Sequence, residues 1–533
     1  MPLFADLCLM NANVITVVQD NPVAEAIAIK QNRIVAVGSN EEIGGLVEKG
    51  TKTRDVQGYS VIPGLIDSHM HPGMYGIAKT GIDCDTSSMS ELLESVKRRA
   101  HETPSGKWVL GSGLDDIKLG RYPSLKELDE ASPDNPVYIE RRDAHIGIVN
   151  SLALQRADID DNTPDPPHGK IDRDENGKPT GVLRESAKDL VYEKTPEPTV
   201  EDYKKGLKLV MEEFLTLGIT TIHASMTCTK QFRAFQELRQ EGRLPLRVCM
   251  HMSGDDEGIL ESLIATGIQT PFGDDWLKIT EIEWIFDTST SGRTAAYYEP
   301  YIDEPDNTGI LLYDQDDITE RVKKAHDAGL RVGLDGIGDR GIDRALDAIE
   351  AALEEHPRDD HRHRIEHCCY ATPAIQSRLK ELGVIDASAT GFLHDLGDAY
   401  QANRGKDAMQ WMWPHRSLID KGIPAPGHSD CPICSPNPWL GIYGMVTRKT
   451  SSGQVLHREE GVTPLEGIEA YTRLGAYSAW EETEKGTIEE GRLADVVVID
   501  RNPLEVPIDE LRNTKTLLTI VDGKIAYDRL QEH

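Results

Sequence analysis

The chain has 533 residues, with 90 acidic against 58 basic side chains and a formal net charge of −32. That negative excess opposes nucleic acid or an anionic membrane as the partner. No apolar run of about 18 residues occurs and no basic-then-apolar leader opens the chain, so a soluble, unexported, cytoplasmic protein is expected. The 8 cysteines are scattered rather than arranged as a framework, which fits a reducing compartment.

Residues 1–58 read as short strands and turns, with strand patterns at 7–17, 24–30 and 33–38 and Gln31-Asn32 as a turn pair. The segment 61–67 is a near-continuous apolar run, the pattern of a strand buried on both faces, and it leads straight into His69 and His71. Side chains at i and i+2 of an extended strand share a face, so these two imidazoles can address one ion. With 17 histidines in the chain, chance alone gives roughly 0.5 His-X-His triplets, so context must decide. A second triplet, His361-Arg362-His363, lacks that context.

An insertion follows at 100–200, with strand-like stretches at 108–111 and 136–140 and a turn-rich stretch at 164–179. Loops after barrel strands carry function, so the insertion is expected near the active-site mouth. Strand candidates then recur at 219–223, 246–252, 277–286, 330–335, 364–368, 383–388 and 423–429, separated by amphipathic helical patterns. Together with 61–67 they predict the α/β class and a closed (β/α)8 TIM barrel over 59–480. The chain ends as it began, with strands at 494–500, 516–521 and 524–527 and a hairpin turn at Asp522-Gly523. Neither terminus has enough strands for its own core, so 1–58 and 481–533 are expected to form one small β-sandwich.

Two further residues sit at strand ends. His367 closes 364–367, with Thr372 and Pro373 as helix-start signals just beyond. Asp430 ends the eighth candidate, where a carboxylate can bind a metal and accept a proton from its water, or simply cap a helix. His363-Arg-Ile-Glu-His367 also matches an inverted zinc-protease pattern, but the turn at 359–360 and Pro373 leave no room for the long helix that pattern needs. Cys431 and Cys434 have redox spacing without a thioredoxin-like unit around them and read as packed thiols.

In order along the chain, these pieces resemble the amidohydrolase superfamily, specifically its YtcJ-like branch related to N-substituted formamide deformylase. The likeness rests on 61–71, Ile337-Gly-Asp-Arg340, Arg364-Ile-Glu-His367, Ser429-Asp430, Asp143-Ala-His145 with Asn150-Ser151, and the return at 486–500. It implies a metal-loaded barrel with His69, His71, His367 and Asp430 as ligands and Asp430 as proton shuttle. Two positions depart from the family pattern. Glu283 stands where a carbamylated lysine often bridges two metals, and Asp335 stands where a histidine ligand is usual. Either can be a carboxylate ligand, or Glu283 can be a buried paired acid and, at a mononuclear centre, Asp335 a contact to substrate or to a histidine outside the ligand set.

The resemblance implies that His145 reaches substrate from the insertion, with a surface position as the alternative, and His223 and His251 are expected to line the pocket as strand-end residues or to be satisfied polar groups. The expected cofactor is one or two divalent ions, zinc first, with manganese or iron as alternatives. The expected reaction is hydrolysis of a non-peptide C–N bond, an amide or formamide, in a small molecule. Deamination of a cyclic amidine, metal-dependent decarboxylation, or binding by a catalytically degraded barrel are the competing readings. A homodimer is expected only because two-fold assemblies are common.

Overall fold

The computed structural model describes residues 4–18, 23–141, 146–167 and 169–530. Its centre is a sheet of seven parallel strands: β1 Leu65–Met70, β2 Ile219–Thr227, β3 Arg247–Ser253, β4 Leu277–Trp284, β5 Val332–Gly336, β6 Arg364–His367 and β7 Ile385–Ser388. They pair in chain order from β1 to β7. Every residue of β1, β3, β5, β6 and β7 is buried, as parallel strands covered on both faces require.

The eighth stave, 423–429, forms no regular strand. Pro424 and Pro426 have no N–H to donate, so there the segment only accepts from β7, Asp386 N–H at 3.1 Å on Pro424 O and Ser388 N–H at 2.9 Å on Pro426 O, and a return bond comes from His428 N–H to Ser388 O at 3.2 Å. On its other edge Ser68 N–H donates to Gly427 O at 3.2 Å and Asp430 N–H donates to His69 O at 3.0 Å, which brings the stave against β1.

The expected strand 61–67 is two strands. Ser60–Pro63 belongs to a different sheet from β1, and Gly64 is the hinge. A Cβ on Gly64 would lie 2.6 Å from Thr220 Cγ2 and 2.8 Å from Thr220 Cβ, with Oγ1 closer still, so only glycine lets β1 settle against β2.

Both termini form a two-sheet sandwich. One sheet has four strands, in the order Arg33–Gly38, Ala26–Lys30, Leu7–Met10, Lys52–Asp55; the other has six, in the order Lys524–Asp528, Thr516–Val521, Val496–Ile499, Ser60–Pro63, Asn13–Ile15, Val23–Ala24. The strand period of two sorts the side chains. Leu7, Leu9, Ile27 and Ile29 meet Val61, Val496, Val498 and Ile520 between the sheets. Ile62, Val497 and Ile499 face the other way onto Trp439, Ile442 and Tyr443 of the helix Pro438–Thr447.

Gly73–Val210 is a second compact unit, wider than the expected 100–200. Its six-stranded sheet runs Gly169–Arg173, Pro179–Glu185, Ile146–Val149, Val137–Arg141, Val109–Leu114, Ile82–Asp83. Leu92, Val96, Leu128 and Ile139 fill one apolar cluster, and Tyr138, Leu154, Leu183 and Val191 fill another. The two-residue edge strand at Ile82 is too short to show a period, which hid the unit's start in the sequence. Among the described residues no helix is long and apolar enough to cross a membrane, and no disulfide forms.

Candidate metal centre

β1 places His69 at its buried end, and His71 follows just past it with its side chain 20% exposed. Asp430 Oδ1 lies 2.9 Å from His71 Nε2 and 3.4 Å from His69 Nε2. The His367 ring stands 4.7 Å, centroid to centroid, from that of His69. Ligand atoms of His69, His367 and Asp430 all fall within 4.8 Å of one another. Thus β1, β6 and the eighth stave deliver their side chains to one point at the C-terminal end of the barrel, where such folds place their chemistry.

Backbone geometry helps. His367 has φ 67° and Asp430 φ 56°, left-handed values that cost a non-glycine residue on the order of 1 kcal/mol each. In a straight strand Glu366 and His367 would point to opposite faces. The turn at His367 brings both toward His69.

The donor set fits a divalent cation. His69 Nε2, His367 Nδ1, Asp430 Oδ1 and Asp335 Oδ1 are buried without a hydrogen-bond partner, and each such group costs about 1–3 kcal/mol if left unmatched. A cation at their common point would satisfy the convergent ones. The charges agree. Burial raises the Asp430 carboxyl, but His367, His69 and His71 outweigh it and hold it well below the usual carboxylate range. Burial pushes His367 down to about 4, so its ring is neutral and able to ligate. Burial also works against a charged His69, yet Glu283, Asp430 and Glu366 raise it well above the ordinary histidine value.

Asp335 sits on β5 with Oδ1 3.8 Å from His367 Nε2. Burial, then Glu283, Glu366 and Asp430, push its carboxyl well above the usual range. Glu283 on β4 lies behind His69 rather than in front of it, 3.8 Å from His69 Nδ1, and accepts from Ser225 Oγ at 2.7 and 2.9 Å. With Glu281 and His251 it forms a separate buried group. His223 and His251 are wholly buried: His223 Nδ1 is 3.3 Å from Arg364 Nη1, and His251 Nδ1 is 2.9 Å from Glu281 Oε1. His145 lies outside the described residues.

With this geometry in hand, residues 52–527 match the profile of the amidohydrolase family. The chain belongs to the amidohydrolase family. It is 30% identical to N-substituted formamide deformylase of Arthrobacter pascens over 99% of each chain. It is 29% identical to the putative amidohydrolase YtcJ of Bacillus subtilis, over 96% of this chain and 98% of that one. Among solved structures, an uncharacterized metal-dependent hydrolase from Pyrococcus horikoshii superposes with a TM-score of 0.79 at 26% identity, covering 94% of this chain and 99% of that one. This amidohydrolase is accordingly a metal-dependent hydrolase of C–N bonds other than peptide bonds.

The amidohydrolase centre also contains residues that the sequence left unassigned. His428 lies 4.9 Å from His69 and 5.2 Å from His367 by ring centroids, and with Nε2 against Ala387 O at 3.1 Å its Nδ1 has no hydrogen-bond partner. Its place two residues before Asp430 on the last stave was a usable signal, since alternate residues share a face. Glu366 and Arg364 are the others. Both sit inside the Arg-Ile-Glu-His stretch but on the opposite parity to His367, so a reading centred on that histidine passes over them.

Proposed function

We propose that this amidohydrolase cleaves a formamide, or a closely related amide, of a small molecule at one divalent ion held by His69, His71, His367 and Asp430. Three imidazoles and one carboxylate favour zinc over harder ions. When bound, such an ion lowers the pKa of water from about 15.7 to about 7 and polarises a carbonyl. Asp430 carries the proton. Held well below the usual range, it is a carboxylate at neutral pH and can accept a proton, then hand it to the departing nitrogen.

The observation that carries this reading is Asp430 Oδ1 itself, a buried carboxylate oxygen without a hydrogen bond that reaches the Nε2 atoms of both His71 and His69. The formamide assignment is supported by the end-to-end likeness to the Arthrobacter deformylase. Asp335 and Glu283 act on the centre from beside and behind it. The test is a product assay on the zinc-loaded protein with N-substituted formamides, N-acyl amides and cyclic amidines. Formate release is expected, and ammonia release from amidines without formate would contradict the proposal.

A further inference from the structure

Of the two nitrogens of His69, one faces Asp430 and the other a carboxylate. Nδ1 lies 2.7 Å from Glu366 Oε2, while Nε2 lies 3.4 Å from Asp430 Oδ1. Glu366 does not hang freely: Arg364 grips it through Nε to Oε1 at 2.6 Å and Nη2 to Oε2 at 2.7 Å. The same Nη2 donates to Ser68 O at 2.9 Å, which ties this clamp on β6 to the residue before His69 on β1. Arg364, Glu366 and His69 are almost completely buried, so no water competes for these bonds.

We propose that Glu366, anchored by Arg364, is the positioning residue that fixes which nitrogen His69 turns toward the metal. An ionised carboxylate only accepts, so it holds the proton on Nδ1 and leaves the Nε2 lone pair for the ion. Two acceptor bonds on the same carboxylate also fix the ring plane, and a carboxylate behind a ligating histidine raises the ring's basicity. The inference rests on the reading of His69 as a metal ligand, and it assigns Glu366 no contact with substrate.

Glu366→Gln is the informative change. The amide has one acceptor oxygen and one donor nitrogen, whereas Arg364 and His69 Nδ1–H both demand acceptors, so one side meets donor against donor. The variant should bind zinc about 10–100-fold more weakly in chelator competition. Its cobalt form should show a shifted visible band, which a purely structural role would not produce. Removing the partner of a buried arginine can also unfold the barrel, so a second measurement uses the unaltered protein. Nitrogen-15 histidine NMR of the zinc-loaded wild type should show His69 protonated at Nδ1 and bare at Nε2. A proton on Nε2, or zinc binding by folded Glu366→Gln within twofold of wild type, overturns the inference alone. Wild-type protein that binds neither zinc nor cobalt overturns the metal reading and this inference with it.

Discussion

Replacing Gly64 by alanine tests how the fold delivers His69. The new methyl group would stand 2.6 and 2.8 Å from Thr220 Cγ2 and Cβ, where ordinary contacts begin near 3.4 Å, so something must give by about 0.6–0.8 Å. Thr220 cannot clear the way by rotating. Its Cβ is among the clashing atoms, and its χ1 is stiff because the side chain is β-branched. Overpacking of this kind costs about 1–3 kcal/mol, and the upper part applies because both residues are buried among close-packed neighbours. At about 2–3 kcal/mol the unfolding equilibrium shifts roughly 30- to 150-fold. Urea unfolding should show the lower midpoint, and Gly64→Ala combined with Thr220→Gly should recover part of it. Since β1 must shift to relieve the clash, zinc affinity should fall as well. A Gly64→Ala protein within about 0.5 kcal/mol of wild type, with unchanged zinc binding, would refute the argument.

Two further outcomes concern the barrel's buried polar groups. At its N-terminal end Val332 N–H donates to His363 Nδ1 at 3.0 Å, His363 Nε2 meets His326 Nδ1 at 2.9 Å, and His363 N–H donates to His361 Nδ1 at 2.9 Å. Burial, together with Arg358, holds all three rings below the ordinary histidine value of 6.5. Below that pH the unfolded rings take up protons that the folded rings refuse, so their contribution to stability is lost as pH falls from about 6.5. His361→Asn keeps an acceptor for His363 N–H and removes one titration, so wild type should lose more stability than the variant between about pH 7 and 5.5; equal losses would contradict this. Elsewhere Glu481 lies buried between Lys278 at 2.7 Å and Lys485 at 2.6 Å, and Glu481→Gln strands two largely buried ammonium groups. A loss of about 3–5 kcal/mol is expected in urea unfolding, and a loss below about 1 kcal/mol would show that water reaches them.

How much of this was legible in the sequence follows from where each signal lives. His69 and His71 stood out because they follow an apolar run, whereas His367 and Asp430 stood out as the ends of strand candidates inside stretches that resemble family motifs. The terminal strands were visible too, because short apolar runs such as 496–499 stand between turn signals such as Asp522-Gly523. The split at Gly64 was not. Both sides of the hinge are equally apolar, and the reason for it, Thr220, lies about 150 residues away. The eighth stave was placed correctly along the chain, but Pro424 and Pro426 remove two of its donors and leave it an irregular edge rather than a strand. Glu283 was placed on β4, yet its bonds to Ser225 show it facing the rear of His69, a direction that depends on how β2 and β4 twist past each other. Glu366 escaped for a related reason: its partner His69 is close only after the barrel closes.

The account turns on Asp430 as the base at a metal centre, and the direct test is turnover and zinc content measured together in Asp430→Asn. The amide oxygen keeps a weak ligand while removing the proton acceptor. Formate release from an N-substituted formamide should fall by about 10²–10⁴ even in protein preparations that retain zinc. Wild-type turnover by zinc-containing Asp430→Asn would contradict the account.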